Sequence, residues 1–362
     1  MCLFFGVEVA RSVVPWPWER RAYPVEQVKW VNLDALRGKR VAFQTNHLDY
    51  QGTGRALYDY ADLAQTLFGV RPLIFSKNHS ANSNAESIAR FTHRFDVVFF
   101  THIEEVRRHL ENRNNDVLSL TMFVYQTGDL DTSKWPIPVI QLAIFKVGAR
   151  GTHVDVRISE IIQCPPKRYC PVLPHVVRLP FVAGNWRRRL RIADNHIVFC
   201  RHGGLSGFDK ESHQAVEYTL QRDLGRRVYF LLLNTNKNAF SHPRKIHLPA
   251  VASFEKVREF INTCDAMMYG SPYGETFGLA IAEFSYCNKP IVIADRHWKG
   301  FHTSVLGNGA IRYKTKEQFA DIAFGWNKTF HRTQNYYFYS QFLPRSVMQN
   351  FYDLALRPFI NF

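Results

Sequence analysis

Gly274-Glu275-Thr276-Phe277-Gly278-Leu279-Ala280-Ile281-Ala282-Glu283 is the stretch whose reading decides the fold. It follows Asp265-Ala266-Met267-Met268-Tyr269, a short apolar run of strand length. The alanine- and isoleucine-rich residues after it are of helical character. A glycine-containing turn between strand and helix leaves backbone N–H groups unpaired. It also turns the positive end of the helix dipole toward a crevice, a ready site for a diphosphate near Thr276, Phe277, Gly278 and Leu279. Read as one helix over 275–287, the segment sets Glu275 and Glu283 about 12 Å apart along the axis and roughly 80° apart around it. The two carboxylates share a side without touching. That spacing suits a ligand with polar groups on both flanks of a diphosphate, sugar hydroxyls at Glu275 and ribose hydroxyls at Glu283, because one carboxylate accepts from two hydroxyls at once.

Outward from this stretch the chain alternates strand and helix patterns, the signal of βαβ units around parallel sheets. Strands are expected at 41–45, 72–76, 96–100, 121–125 and 139–145, with an amphipathic helix at 54–68. A segment at 164–185 then carries Pro165, Pro166, Pro171, Pro174 and Pro180, more than a helix or a central strand absorbs. The alternation restarts with strands at 196–201, 228–234, 265–269 and 290–294 and helices at 211–223, 253–263 and 275–287. The expected fold class is therefore α/β, with two Rossmann-like doubly wound domains facing a central cleft. The expected division is an extension over 1–38, a first domain over 39–175, a second over 176–325, and an aromatic-rich helical tail over 326–362 that packs back on the first domain.

E-x(7)-E after a strand resembles the signature of family-4-type retaining glycosyltransferases of GT-B architecture. The flanking Phe260-Ile261-Asn262-Thr263-Cys264-Asp265 and Asn288-Lys289-Pro290 are similar to a subgroup found in large DNA viruses and some microbes. So are Arg201-His202-Gly203-Gly204, Asn234-Thr235, Leu173-Pro174-His175 and, more weakly, Gly52-Thr53-Gly54. The likeness covers most of residues 45–325 at uneven strength. It implies transfer of a sugar from a nucleoside-diphosphate sugar to a hydroxyl of a glycan, protein or lipid-linked acceptor, with retention. It places Arg201, whose guanidinium suits two phosphate oxygens, and Glu275 in catalysis. Donor contacts are implied for Gly52, Gly54, Arg201, Gly203, Glu275, Thr276, Phe277, Gly278, Leu279 and Glu283. No metal or other cofactor is implied. Several positions depart from the family pattern: Ser206 where a lysine is frequent, with Lys210 the next one; Gln126 for a lysine; Gln141 for a histidine; Ser271 for an arginine. His102, after the strand at 96–100, is a substitute polar group at the sheet edge or a structural histidine. These departures favour, as an alternative, a catalytically silent relative that still binds nucleotide sugar, and the net charge of +15 with the arginine run at 186–191 leaves a basic nucleic-acid-binding protein as a second, lesser alternative.

Composition sets the remaining expectations. At 362 residues, with 46% hydrophobic and 21% charged, the chain reads as a globular protein of two domains with no spanning helix and no signal peptide, hence cytoplasmic. A net charge of +15 attracts phosphates, anionic lipid surfaces or nucleic acid, and a peripheral membrane contact is compatible with it. Trp186-Arg187-Arg188-Arg189-Leu190-Arg191 is read as a solvated basic face rather than a specific nucleic-acid site. Asp129-Leu130-Asp131 has the spacing of a metal-holding D-x-D but, as a short loop pattern, is read as chance. Six cysteines without a C-x-x-C pair are read as reduced, structural thiols.

Overall fold

The computed structural model describes residues 36–49, 52–78, 83–112, 120–125, 130–204 and 208–359. The first sheet holds β1 (Arg40–Thr45), β2 (Arg71–Lys77), β3 (Asp96–Phe100), β4 (Leu120–Tyr125), β5 (Val139–Ala143) and β6 (Val154–Arg157), in the order β3-β2-β1-β4-β5-β6. The second holds β7 (Ile197–His202), β8 (Val228–Leu233), β9 (Lys245–Leu248), β10 (Ala266–Tyr269), β11 (Ile291–Ala294) and β12 (Ile311–Tyr313), in the order β12-β11-β10-β7-β8-β9. Every pairing is parallel. The two halves repeat one topology: the first and fourth strands of each are central neighbours, and the chain winds outward from them in opposite directions. Such a reversal opens a crevice beyond the C-terminal ends of the central strands. Strands β6, β9 and β12 escape the sequence reading because they are short edge strands, VDVR, KIHL and IRY, without an apolar run.

Helices α1 (Gly52–Phe68), α2 (Ala85–Arg94) and α3 (Ile103–Glu111) belong to the first half, and α4 (Lys210–Arg222), α5 (Phe254–Thr263), α6 (Leu279–Tyr286), α7 (Phe301–Leu306) and α8 (Lys316–Phe324) to the second. Their starts are chemically marked. Asn84, Asp209, Ser253 and Thr315 each accept a backbone N–H two or three residues into the helix that follows. Beyond α9 (Lys328–Thr333), α10 (Pro344–Phe351) returns to the first half, where Phe351 packs on Tyr60 and Phe43, and Tyr352 on Phe68. No helix among the described residues is long and apolar enough to cross a membrane.

Two sequence expectations need correction. Cys164 is bonded to Cys170 and Cys200 to Cys264, with Cys287 the free cysteine among the described residues. Cys200 and Cys264 are 64 positions apart in the chain, but β7 pairs with β10 directly beside the end of α5, and no linear spacing reveals that neighbourhood. The basic run at 186–191 is also only partly a solvated face. Trp186 is buried, Arg187 pairs with Asp265 and donates to the carbonyls of Ala193 and His196, and the Arg189 guanidinium lies 4.4 Å from the Trp186 ring.

Among the buried histidines, His175 packs on Phe277, His213 on Phe208 and His302 on Tyr269. Burial pushes all three down to about 4. The unfolded chain, with histidines near the ordinary value of about 6.5, binds more protons than the folded one between those two values, so stability rises with pH there. The contribution is fully present above about pH 6.5 and is lost as pH falls toward 4. Urea denaturation midpoints measured from pH 7.5 to 4.5 are expected to fall steadily below pH 6.5, and His302→Asn to shallow that slope.

Candidate functional site

The loops that follow β7 and β10 meet at the crevice of the second sheet. Tyr269 ends β10, and the chain reaches α6 through Gly278, whose φ of 83° is left-handed. This turn corrects the single helix expected over 275–287: α6 begins at Leu279, so Glu275 stands in the turn before it and the helical separation of the two carboxylates does not apply. Glu275 is held through its backbone instead. It bridges Gly300, and its carbonyl accepts from Phe301 N at 2.8 Å. Gly300 is required there, since a Cβ at its φ of 101° would lie 2.5 Å from Glu275 N. Tyr269 Oη donates to Glu275 Oε1 at 3.1 Å. Burial raises the Glu275 pKa, against the opposing pull of that hydrogen bond and of Arg201.

Arg201, the penultimate residue of β7, is 4% exposed, and burial lowers it to about 10 despite nearby Glu275, Tyr269 and Asp209. Its guanidinium lies against the backbone of Gly203, where a Cβ would come within 2.8 Å of Nη1. Asp209, at the start of α4, is held by His297 at 2.6 Å and by Ser212. These bonds outweigh burial and keep its carboxyl well below the usual carboxylate range.

Gly52 opens α1 and faces Leu279 across the cleft, with its Cβ position 3.8 Å from Leu279 Cβ. The first turn of the first half's leading helix thus meets the N-terminus of α6. Gly54 turns elsewhere: its Cβ would lie 2.9 Å from Asp49 Oδ1, so it admits the loop after β1. Phe277 is likewise a packing residue, buried among His175, Phe301, Tyr339 and Phe342. The carbonyl of Thr276 accepts from Ser159 of the first half.

A cavity of about 230 Å³ lies between the halves. Of the residues singled out in the sequence, Gly52, Gly203, Leu279 and Glu283 line it; Arg201, Glu275, Thr276, Phe277, Gly278 and Gly54 do not. Arg55, Arg90, His202, Asn234 and Phe254 are also part of its wall. Glu283 is 3% exposed and already engaged by two side chains, Arg55 and His202. Arg55 Nη1 lies 3.0 Å from Oε1 and His202 Nε2 2.9 Å from Oε2. Burial works to raise its pKa, but Arg55 and His202 outweigh it and hold the carboxyl below its ordinary value. Arg55 also donates to Asp59 and to the carbonyl of Arg178, and its guanidinium stacks 3.4 Å from the centre of the Phe254 ring. The chain of charges continues through Asp59 to Arg178, Asp62 and Arg94. Arg55, Arg90 and Phe254 went unread in the sequence, and His202 stood there within Arg201-His202-Gly203-Gly204 without a role. Arg55 directly follows Gly52-Thr53-Gly54, but an arginine in a helix signals nothing until its burial is known.

The departures from the family pattern resolve unevenly. Gln141 is buried and accepts from the N–H groups of Gly148 and Ala149. Ser271 is buried, Lys210 is an exposed first residue of α4, and His102 caps α3 beside Glu105. Gln126, Asp129 and Ser206 lie outside the described residues. Asp131 forms an isolated β-bridge with Arg150, is half-exposed and accepts from Ser133. Among the described residues no group of three or more histidine, cysteine, aspartate or glutamate side chains is arranged to hold a metal.

No protein-family model matches the chain, and no curated protein matches it either. Solved structures do. Anabaena HepE in complex with UDP-glucose superposes with a TM-score of 0.63 at 13% identity, over 87% of this chain and 98% of its own. WaaG, a glycosyltransferase involved in lipopolysaccharide biosynthesis, gives 0.60 at 12% identity over 87% and 99%. TarM gives 0.61 at 8% identity over 91% and 100%. The chain has the GT-B fold, with two doubly wound parallel sheets opposed across a cleft.

Asp59 is 1% exposed between Arg55 and Arg178, so Asp59→Ala removes one of the two acidic partners of each, leaving Glu283 to Arg55 and Asp62 to Arg178. Loss of one partner from a buried pair costs about 3–5 kcal/mol. Urea denaturation of the variant is expected to register a loss of that size, and one under about 1 kcal/mol would mean that water reaches the network.

Proposed function

We propose that the chain is a glycosyltransferase that moves a sugar from a nucleoside-diphosphate sugar to an acceptor hydroxyl. The observation that carries this is the meeting of Gly52 with the N-terminus of α6 at Leu279, at the crevice of the second sheet and beside a cavity that both halves line. A diphosphate at that terminus receives the N–H groups after Gly278 and the helix dipole. Arg201 and the same amides then stabilise the charge that develops on the departing diphosphate, which is the largest demand of such a transfer. Glu275, oriented by Tyr269 and by its backbone bond to Phe301, holds the sugar hydroxyls. Glu283 accepts from the ribose. The likeness to HepE, whose structures carry UDP and glucose, supports a nucleotide-sugar donor. Retention of configuration, independence from metal, an acceptor that is a glycan, protein or lipid-linked sugar, and a cytoplasmic or peripheral membrane location complete the proposal. The surplus of positive charge is read as serving anionic ligands of this kind rather than a specific nucleic acid.

A second reading, nucleotide-sugar binding without transfer, is favoured by Gln141. Its amide is spent on the backbone at 148–149 and offers no base to an acceptor. Incubation with a panel of nucleotide sugars separates the two. Donor-dependent release of nucleoside diphosphate supports transfer, and saturable binding with no turnover on any acceptor supports the silent relative.

Arg201→Met keeps most of the bulk and removes the charge. Calorimetry on the folded variant is expected to give nucleoside diphosphate binding weaker by about 1.5–3 kcal/mol. An unchanged Kd would place Arg201 outside the site. Addition of EDTA is expected to leave the wild-type Kd unaltered, and restoration of lost binding by manganese would overturn metal independence.

A further inference from the structure

The carboxylate expected to read the nucleotide's ribose lies in this chain inside an ion pair that spans the two halves. Glu283 belongs to α6 of the second half, and Arg55 to α1 of the first. Both line the cavity, together with Phe254, on whose ring Arg55 stacks. A carboxylate has about four lone-pair sites, and on Glu283 Arg55 Nη1 approaches Oε1 at 3.0 Å and His202 Nε2 approaches Oε2 at 2.9 Å, one side chain to each oxygen. A guanidinium has five N–H donors, of which Asp59 and the Arg178 carbonyl take two, while Nη1 faces Glu283. The pair therefore retains acceptors on Glu283 and donors on Arg55, side by side on one cavity wall. A vicinal diol needs that combination, because each hydroxyl donates one hydrogen bond and accepts another.

We infer that Arg55 is a specificity-determining residue that reads the ribose of the donor jointly with Glu283, so that ribonucleotide recognition is built from both halves of the molecule. This rests on the nucleotide-sugar reading above and adds a first-half residue to it. Arg55 is well held for such a role. The Arg178 carbonyl, Asp59 and the Phe254 ring fix its planar fork on three sides, so little side-chain freedom remains to be lost when a ligand arrives. A lysine at the position keeps the charge near Glu283 but cannot keep the fork.

The test compares ribose with deoxyribose on one and the same protein, so that any general loss of stability or of cleft shape cancels in the ratio. UDP, GDP, ADP and CDP are titrated calorimetrically against the full-length chain. The tightest is then compared with its 2′-deoxy and 3′-deoxy forms in wild type, Arg55→Lys, Glu283→Gln and the double variant. Wild type is expected to prefer the ribonucleotide by roughly ten- to a hundredfold, the value of one hydrogen bond to a charged group. Arg55→Lys and Glu283→Gln are each expected to reduce that preference to within about threefold, and the double variant to go no lower, because the pair acts as a unit. Arg55→Met is paired with Glu283→Gln as a second double variant. It replaces the ion pair with neutral groups of similar shape and is expected to lose less stability than Arg55→Met alone, which leaves the Glu283 charge behind. Its ribose preference should be equally flat. If the Arg55 variants keep the wild-type preference while Glu283→Gln loses it, Glu283 reads the ribose alone and the inference falls while the nucleotide-sugar reading stands. If none of the four nucleotides binds wild type saturably, both fall together.

Discussion

The carboxylate of Glu283, closed off from water between Arg55 and His202, is the constraint on which the arrangement of the cleft depends. An unpaired charge in that position costs several kcal/mol, so Arg55 must come to it from the other half. Arg55 in turn needs Asp59, Asp59 needs Arg178, and Arg178 needs Asp62, which Arg94 completes. The sequence of signs alternates without a break from the outer face of α2 to the cavity. This chain also explains the course of the proline-rich segment. Arg178 sits in the middle of it, and its carbonyl and guanidinium both attach to the α1 network. The linker is thus held by the same charges that order the cleft.

Apolar contacts work beside this network. Phe254 of α5 receives the Arg55 guanidinium at 3.4 Å and that of Arg90 at 4.2 Å, while Tyr58 meets its edge. Arg90 also donates to the carbonyl of Ala252. Two arginines and a tyrosine of the first half thus converge on one ring of the second. Planar guanidinium groups lie flat on aromatic faces while their edges still hydrogen-bond, which lysines at these positions do not reproduce. On the other side of α6, Phe277, Tyr339 and Phe342 bring the C-terminal tail against the turn that carries Glu275. That turn is therefore braced by Gly300 on its backbone and by aromatic rings beneath it.

Much of this was legible in the residues. Alternating apolar runs located nine of the twelve strands among the described residues, since a strand buried on both faces has to be apolar throughout. The turn between Tyr269 and Leu279 was legible from its glycines, and the aromatic tail from its composition. The start of α6 was misplaced by four residues because Gly278 was counted as a helical residue, whereas its left-handed φ of 83° ends the turn and begins the helix. The Cys200–Cys264 disulfide was misjudged because its partners meet only through strand pairing.

What the sequence alone determined is the class of the molecule: two parallel α/β halves, and a glycine-marked strand-to-helix turn with two carboxylates beside it. These follow from local rules, apolar periodicity and glycine's access to positive φ, which act within a few residues of one another. Only the tertiary structure decided which charges meet. Arg55 and Glu283 are separated by most of the chain, and each taken alone reads as an ordinary helical side chain. Their pairing is set by how two sheets and a linker pack, because the cost of a buried charge depends on its neighbours in space and not on its neighbours in the chain.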